Sequence, residues 1–170
     1  WVALDIETTG LSSENDEIIE VGAVKFRGRQ TLDTFESFVN PFRPLDTFIK
    51  RYTGISQKQV DSAPPFSRVA RDLAPFLGNA PLVGHNLGFD LGFLSGKGLR
   101  LSNPRCDTWD MAYVTSPRHR DYSLRGLAAW LKVPHVRPHR ALEDANATMG
   151  VFLKLAVQMS ELDALTLAEM

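Results

Sequence analysis

Asp5 and Glu7 stand two apart in the run Val2-Ala3-Leu4-Asp5-Ile6-Glu7, which reads as a buried strand ending in carboxylates. On a strand, side chains at i and i+2 share a face. Two carboxylates on one side of a buried strand are costly unless a positive charge sits between them. A divalent metal is the usual answer, and hard oxygen ligands favour Mg²⁺ or Mn²⁺ over zinc. Asp90 follows a second apolar run, Leu82 to His85, by one helical turn. A carboxylate just past the carboxyl end of a strand lies where α/β sheets place their sites. Asp144 closes the stretch His139-Arg140-Ala141-Leu142-Glu143-Asp144. A helix turns about 100° per residue, so these two residues converge only if His139 stands on the entering loop. Pro138 favours that arrangement. Taken singly, each signal has a plainer reading. Asp5 and Glu7 suit a solvated strand end, Asp90 suits a first helical turn through the dipole, and His139 suits a partly exposed helix start.

The elements that must position these residues follow from periodicity. Val2 to Glu7, Asp16 to Phe26 and Thr31 to Val39 read as three strands joined by short connections, an antiparallel meander. Asn40-Pro41 and Pro44 end the third. Leu45 to Tyr52 reads as a short helix, and Ser56 caps another through Val60. Pro64-Pro65 opens a helix whose apolar face is Phe66, Val69, Leu73 and Phe76. Ala80 to His85 is a strand, and Asn86 is placed to cap the helix after it. Gly88, Gly92 and Gly96 weaken that helix by propensity. Pro104 to Asp107 is a brief strand. Thr108 to Thr115, Ser123 to Leu131 and His139 to Gln158 read as helices, with Ser160 to Met170 a last helix or a frayed tail. The order is α/β, with a mixed sheet and helices on its faces.

Composition narrows the function classes. The 170 residues are 44% apolar and suit one domain. With 19 basic and 20 acidic side chains the net charge is −1, which excludes a basic nucleic-acid coat and an acidic disordered tail. The balance hides two opposed regions. Residues 1–22 hold six acids and no Lys or Arg, whereas residues 116–140 hold six cations and one acid. A phosphate backbone could lie across the second region, and Arg118 and Arg120, in a loop, are the substrate-contact candidates there. The single cysteine, Cys106, excludes an internal disulfide framework and a cysteine zinc cluster. No apolar stretch approaches the roughly 20 residues of a membrane span. No signal peptide opens the chain, so a cytoplasmic location with no membrane partner is the expectation. Trp1 begins an apolar run in place of an initiator Met. That suggests a fragment of a longer protein, or else a chain whose leading residues are omitted from the numbering.

In combination, Asp5-Ile6-Glu7-Thr8-Thr9-Gly10, His85-Asn86-x-x-Phe89-Asp90 and His139-x-x-x-x-Asp144-Ala145 resemble the three motifs of the DEDDh 3′→5′ exonucleases. This family includes the proofreading epsilon subunit of bacterial DNA polymerase III and exonuclease domains fused to polymerases or helicases. The resemblance spans residues 2 to about 157. Ile18-Ile19-Glu20-Val21-Gly22-Ala23, Thr53-Gly54-Ile55, Ala63-Pro64-Pro65-Phe66, Asp107-Thr108 and Tyr122-Ser123-Leu124 agree with it. It implies a ribonuclease H-like fold, with a mixed five-stranded sheet whose antiparallel first three strands are extended by parallel ones. It implies that Asp5, Glu7, Asp90 and Asp144 hold two divalent cations, Mg²⁺ or Mn²⁺, and that His139 is the general base. Two metals about 4 Å apart hold a scissile phosphate, acidify the attacking water and stabilise the leaving oxygen. Thr9 and Gly10 match positions that hold the terminal nucleotide. Leu11 and Phe89 resemble residues that pack on terminal bases, or else simply line the site. Asn86 is a cap before it is a substrate contact, and Asp107 a helix-start support.

The expected substrate is a single-stranded or frayed 3′ end, DNA ahead of RNA, released as 5′-mononucleotides. An RNA-trimming relative of the same family remains open, since no residue announces contact with a 2′-OH. A non-catalytic binding module is disfavoured by the presence of all four acids and the histidine. A tyrosine-type site is disfavoured because Arg140 stands four before Asp144. The glycines Gly92, Gly96 and Gly98 depart from the family pattern and suggest weaker affinity at one metal position. The whole chain then reads as one exonuclease domain, residues 1–170, with a polymerase or helicase as partner in the same chain or complex.

Overall fold

The computed structural model describes residues 1–161. The segment from Ser160 on, read as a last helix or frayed tail, lies almost wholly outside the described residues. Three strands open the chain: β1 (Val2–Thr8), β2 (Ile18–Arg27) and β3 (Gln30–Phe38). There follow α1 (Thr47–Thr53), α2 (Gln57–Asp61), α3 (Phe66–Leu77), β4 (Leu82–Gly84), α4 (Leu87–Gly96), β5 (Arg105–Asp107), α5 (Thr108–Thr115), α6 (Leu124–Leu131) and α7 (Ala141–Ser160). The sheet order is β3-β2-β1-β4-β5. β1, β2 and β3 pair antiparallel, and β4 and β5 add in parallel. This is the expected α/β architecture, with expected and observed element ends differing by a few residues.

The period of two along β1 divides the core. Val2, Leu4 and Ile6 face a cluster with Val69, Leu73 and Leu77 of α3 and Phe93 and Leu94 of α4. Ala3 faces the opposite cluster, with Ala145, Ala147 and Val151 of α7 and Leu127 of α6. Asp5 and Glu7 continue the Ala3 side of the strand, so they point to the layer that carries α7. A third cluster of Ile19, Leu45, Ile49, Ile55 and Val60 seats α1 and α2 beside the main sheet.

α7 crosses the sheet at close range. A Cβ on Gly22 would lie 2.2 Å from the backbone of Ala141 and Leu142, so only glycine lets the helix start rest on β2. Glu20, fully buried, locks the same end: it accepts from the Ala141 amide at 2.9 Å and pairs with Arg140 at 2.7 Å.

One expected cap is corrected. Asn86 stands at the start of α4 with φ 62°, and its side chain makes no capping bond. The Asp107 carboxylate does that work, accepting from the Asn86 and Leu87 amides at 2.9 and 2.7 Å. It also caps α5 through the Trp109 amide. One carboxylate at the end of β5 can serve both helices because β4 and β5 run parallel and end together. Ser56 caps α2 as expected, with a reciprocal bond to Gln59.

Candidate active site

A cleft of about 610 Å³ opens at the carboxyl ends of β1 and β4. Asp5 and Glu7 enter it from β1, Asp90 from α4, and Asp144 from the first turn of α7. Thr9, Gly10 and Leu11 line one wall and Asn86 and Phe89 another. The three motifs, separated by about 80 and 50 residues in sequence, therefore meet at one place.

His139 joins them because it is not helical. Its φ is 64°, and α7 begins two residues later. The left-handed residue turns the chain so that the His139 amide donates back to Asp144 Oδ2 at 3.2 Å. Ligand atoms of Glu7, His139 and Asp144 all lie within 4.8 Å of one another. The other Asp144 oxygen meets His135 Nε2 at 2.6 Å.

Asp90 is fixed from the opposite side. Its Oδ1 accepts from the Ile6 amide at 3.0 Å, and the side chain is buried. That bond ties α4 to β1 between the two strand carboxylates, despite the glycines of α4.

The electrostatics are those of an under-compensated acidic site. Burial, then the repulsion of Asp90 and Asp144, raises the Asp5 carboxyl well above its ordinary range. Glu7 is pushed up to about 8, by burial first and Asp144 next, with Arg140 pulling the other way. Asp90 is also pushed up to about 8 by burial, against the amides that stabilise its charge. A set of clustered carboxylates with protons held this tightly fits a divalent cation, which supplies the positive charge the cleft lacks. Burial lowers the His139 imidazole below its ordinary 6.5, and the Asp144 charge opposes this. The ring is therefore a neutral base near pH 7.

The loop after β1 is built from within. The Thr9 hydroxyl donates to Asp16 Oδ1 and accepts from the Glu17 amide. A Cβ at Gly10 would lie 2.4 Å from the Asp16 carboxylate, so Gly10 makes room for this acid. Leu11 is 87% exposed at the rim, free to meet a ligand. Phe89 packs on Phe93 and borders the cleft.

Arg118 and Arg120 are not brought to the cleft. Both are exposed, and Arg118 borders a separate hollow with His119 and Trp130. The loop that carries them follows α5 and neither arginine lines the cleft, which charge counting along the chain could not reveal. Conversely, one residue at the site had no motif to announce it: Tyr52 of α1 stacks on the His139 ring at 3.8 Å between centroids. His85, which opens the second motif, lines the cleft while bonding Thr108 Oγ1 at 2.9 Å. The i,i+4 aromatic pair Phe48 and Tyr52 on a short helix is the one signal that could have flagged α1.

Comparison with known proteins defines the class. A family model described as Exonuclease (RNase_T) matches residues 2–152. The chain belongs to this exonuclease family, in agreement with the motif resemblance. It is 40% identical over 173 residues to the PolC-type DNA polymerase III of Caldanaerobacter subterraneus subsp. tengcongensis, covering 99% of this chain and 12% of that protein. It is 35% identical over 178 residues to the 3′-5′ exonuclease DinG of Bacillus subtilis, covering 100% of this chain and 19% of that protein. The chain thus spans less than a fifth of either relative. Among solved structures, Exonuclease X in complex with 5′ overhanging duplex DNA matches with a TM-score of 0.78 at 23% identity, over 99% of this chain and 97% of the other. The nuclease domain of 3′hExo, a DEDDh family member bound to rAMP, matches with a TM-score of 0.78 at 22% identity, over 95% and 94%. These two likenesses establish the fold. Among the described residues no helix is long and apolar enough to cross a membrane.

Proposed function

We propose that this chain is a metal-dependent 3′→5′ exonuclease that removes 5′-mononucleotides from a single-stranded DNA 3′ end. The observation that carries the reading is the convergence of Asp5, Glu7, Asp90, Asp144 and His139 on one cleft. Asp5, Glu7, Asp90 and Asp144 hold two divalent cations, Mg²⁺ or Mn²⁺, as all-oxygen donor sets prefer. When bound, these cations position the scissile phosphate, acidify the attacking water and stabilise the leaving oxygen.

His139 takes the proton from the water as its oxygen forms the new bond to phosphorus. The bond from phosphorus to the 3′ oxygen of the preceding nucleotide breaks, and that oxygen leaves as a 3′-hydroxyl after gaining a proton. Tyr52 holds the His139 ring flat against α1, and Leu11 and Phe89 pack on the terminal nucleoside. Thr9 and Gly10 shape the wall it lies against, and Asn86 borders the same space. DNA as substrate rests on the name of one relative, DNA polymerase III, and a polymerase in the same chain or complex is the partner that name suggests, with a helicase the alternative that the motif resemblance implies.

The test is turnover of matched, 5′-labelled DNA and RNA oligomers with Mg²⁺ or Mn²⁺. Expected is stepwise shortening from the 3′ end, faster on DNA, abolished by EDTA and reduced at least about 1000-fold in Asp5→Asn. Activity that survives EDTA refutes the metal mechanism, and faster turnover of RNA refutes the DNA assignment.

A further inference from the structure

Beyond the cleft the surface carries a line of aromatic rings. His85 and Asn86 line both the active-site cleft and an adjoining hollow bordered by Trp109 and Tyr122. Trp109 and Tyr113 sit at i,i+4 on α5 with ring planes only 4° apart. They are 42% and 53% exposed. Tyr122 contacts both at 5.7 and 6.0 Å between centroids, and its hydroxyl is anchored to the Ser116 carbonyl at 2.7 Å. His119 continues the line, edge-on to Tyr122 and stacked on the exposed Trp130 at 4.4 Å. Arg118 borders the same final hollow, and Arg120 and Arg125 are exposed nearby in the chain. Between Trp109 and Trp130 the acids are Asp110 and Asp121, against the cations Arg118, Arg120 and Arg125.

From this geometry we infer that the rings form a stacking track for the bases of a single-stranded nucleic acid upstream of the 3′ end held in the cleft. The inference rests on the exonuclease reading and extends it to how the strand is held. Two observations select this occupant. The track is continuous with the catalytic cleft through His85 and Asn86, so a strand leaving the cleft meets Trp109 and Tyr122 first. Arg118, Arg120 and Arg125 alternate with the rings along the chain, and Arg118 borders the same hollow as His119 and Trp130, which suits a polymer whose flat apolar bases alternate with phosphates. Stacking accepts every base, so the track supplies affinity without sequence preference. It also gives Arg118 and Arg120 a role away from the cleft, as phosphate contacts at the far end of the strand.

The test uses the 170-residue chain carrying Asp5→Asn, so that oligothymidylates from dinucleotide to decanucleotide are bound but not cut. Fluorescence anisotropy of end-labelled oligomers should show affinity climbing with length and then levelling off. Trp109→Ala with Tyr113→Ala should flatten that climb, weakening the decanucleotide about fivefold or more and leaving the dinucleotide unchanged. Trp109→Phe should retain the climb, since it keeps a stacking face. In the otherwise intact chain the double substitution should raise KM for the decanucleotide with kcat unchanged. Arg118→Ala with Arg120→Ala should reduce the salt dependence of binding to long oligomers only. Affinity independent of length, or a double variant that binds every oligomer as its parent does, overturns the track and leaves the rings as a protein-facing surface. Those outcomes stand apart from failure of the exonuclease reading, which would appear as no shortening of any oligomer by the intact chain.

Discussion

His139 shows how a single backbone angle creates a site. Its φ of 64° holds it off α7, and the resulting turn brings the imidazole beside Asp144 and Glu7. Left-handed backbone costs a non-glycine residue about 1 kcal/mol or more. The bond from its amide to Asp144 and the stack on Tyr52 offset that cost. Because burial keeps the ring neutral, the rate should fall on the acid side of neutrality with an apparent pKa below the ordinary 6.5. His139→Ala should lower kcat by about 100- to 10,000-fold and remove that acid limb. A pH–rate profile of the variant that keeps the limb would exclude His139 as the base. The spacing of five residues raised the question of the loop, but only the backbone path answers it. Tyr52 and His135 have no comparable mark: Tyr52 joins the site by stacking on His139 across the fold, and His135 by bonding Asp144 from the loop before α7.

Among the elements, α7 carries the greatest burden, because it delivers Asp144 while packing on β1 and β2. Gly22 and the buried Glu20 set its height and its end. Gly22→Ala would force the start of α7 away from β2, since the new methyl would meet backbone and not a yielding side chain. Expected is a loss of about 3 kcal/mol or more of stability, in the upper range for overpacking, together with a fall in kcat. Gly92→Ala provides the contrast. Gly92 is exposed on α4 with open space around it, so alanine should stabilise by about 0.5–1 kcal/mol. Thermal melts of the two variants check both signs. The run Ile18 to Ala23 was readable as a matching signature, yet why its glycine matters is visible only once α7 lies on it.

At the scale of the whole molecule, a formal charge of −1 divides into an acidic cleft and a basic, aromatic flank. The cleft makes the metal-free fold sensitive to alkali. Glu7 and Asp90 keep protons up to about 8, whereas their ordinary values are 4.5 and 3.8. A carboxyl with a raised pKa binds its proton more tightly folded than unfolded, so its contribution is lost as pH rises from the unfolded value to the folded one. In EDTA the melting temperature should therefore fall between about pH 5 and about pH 8.5, and millimolar Mg²⁺ or Mn²⁺ should restore it most at the alkaline end. A metal-free melting temperature that is flat across this range would mean that the acids are solvated or otherwise paired.

The sequence by itself determined the order of strands and helices, because apolar periodicity is a local property of the chain. It pointed to the four acids and the histidine only through the resemblance of three motifs taken together, since each of these residues alone had a plainer reading. Only the tertiary structure decided which face of β1 meets α7, that Asp107 and not Asn86 caps α4, and that Arg118 and Arg120 lie away from the cleft. It alone showed Tyr52 against His139 and the line of rings from Trp109 to Trp130. Apart from the rings, which are near neighbours in sequence, these depend on contacts between residues tens of positions apart, and such contacts follow from how the layers pack, which no spacing along a single chain encodes.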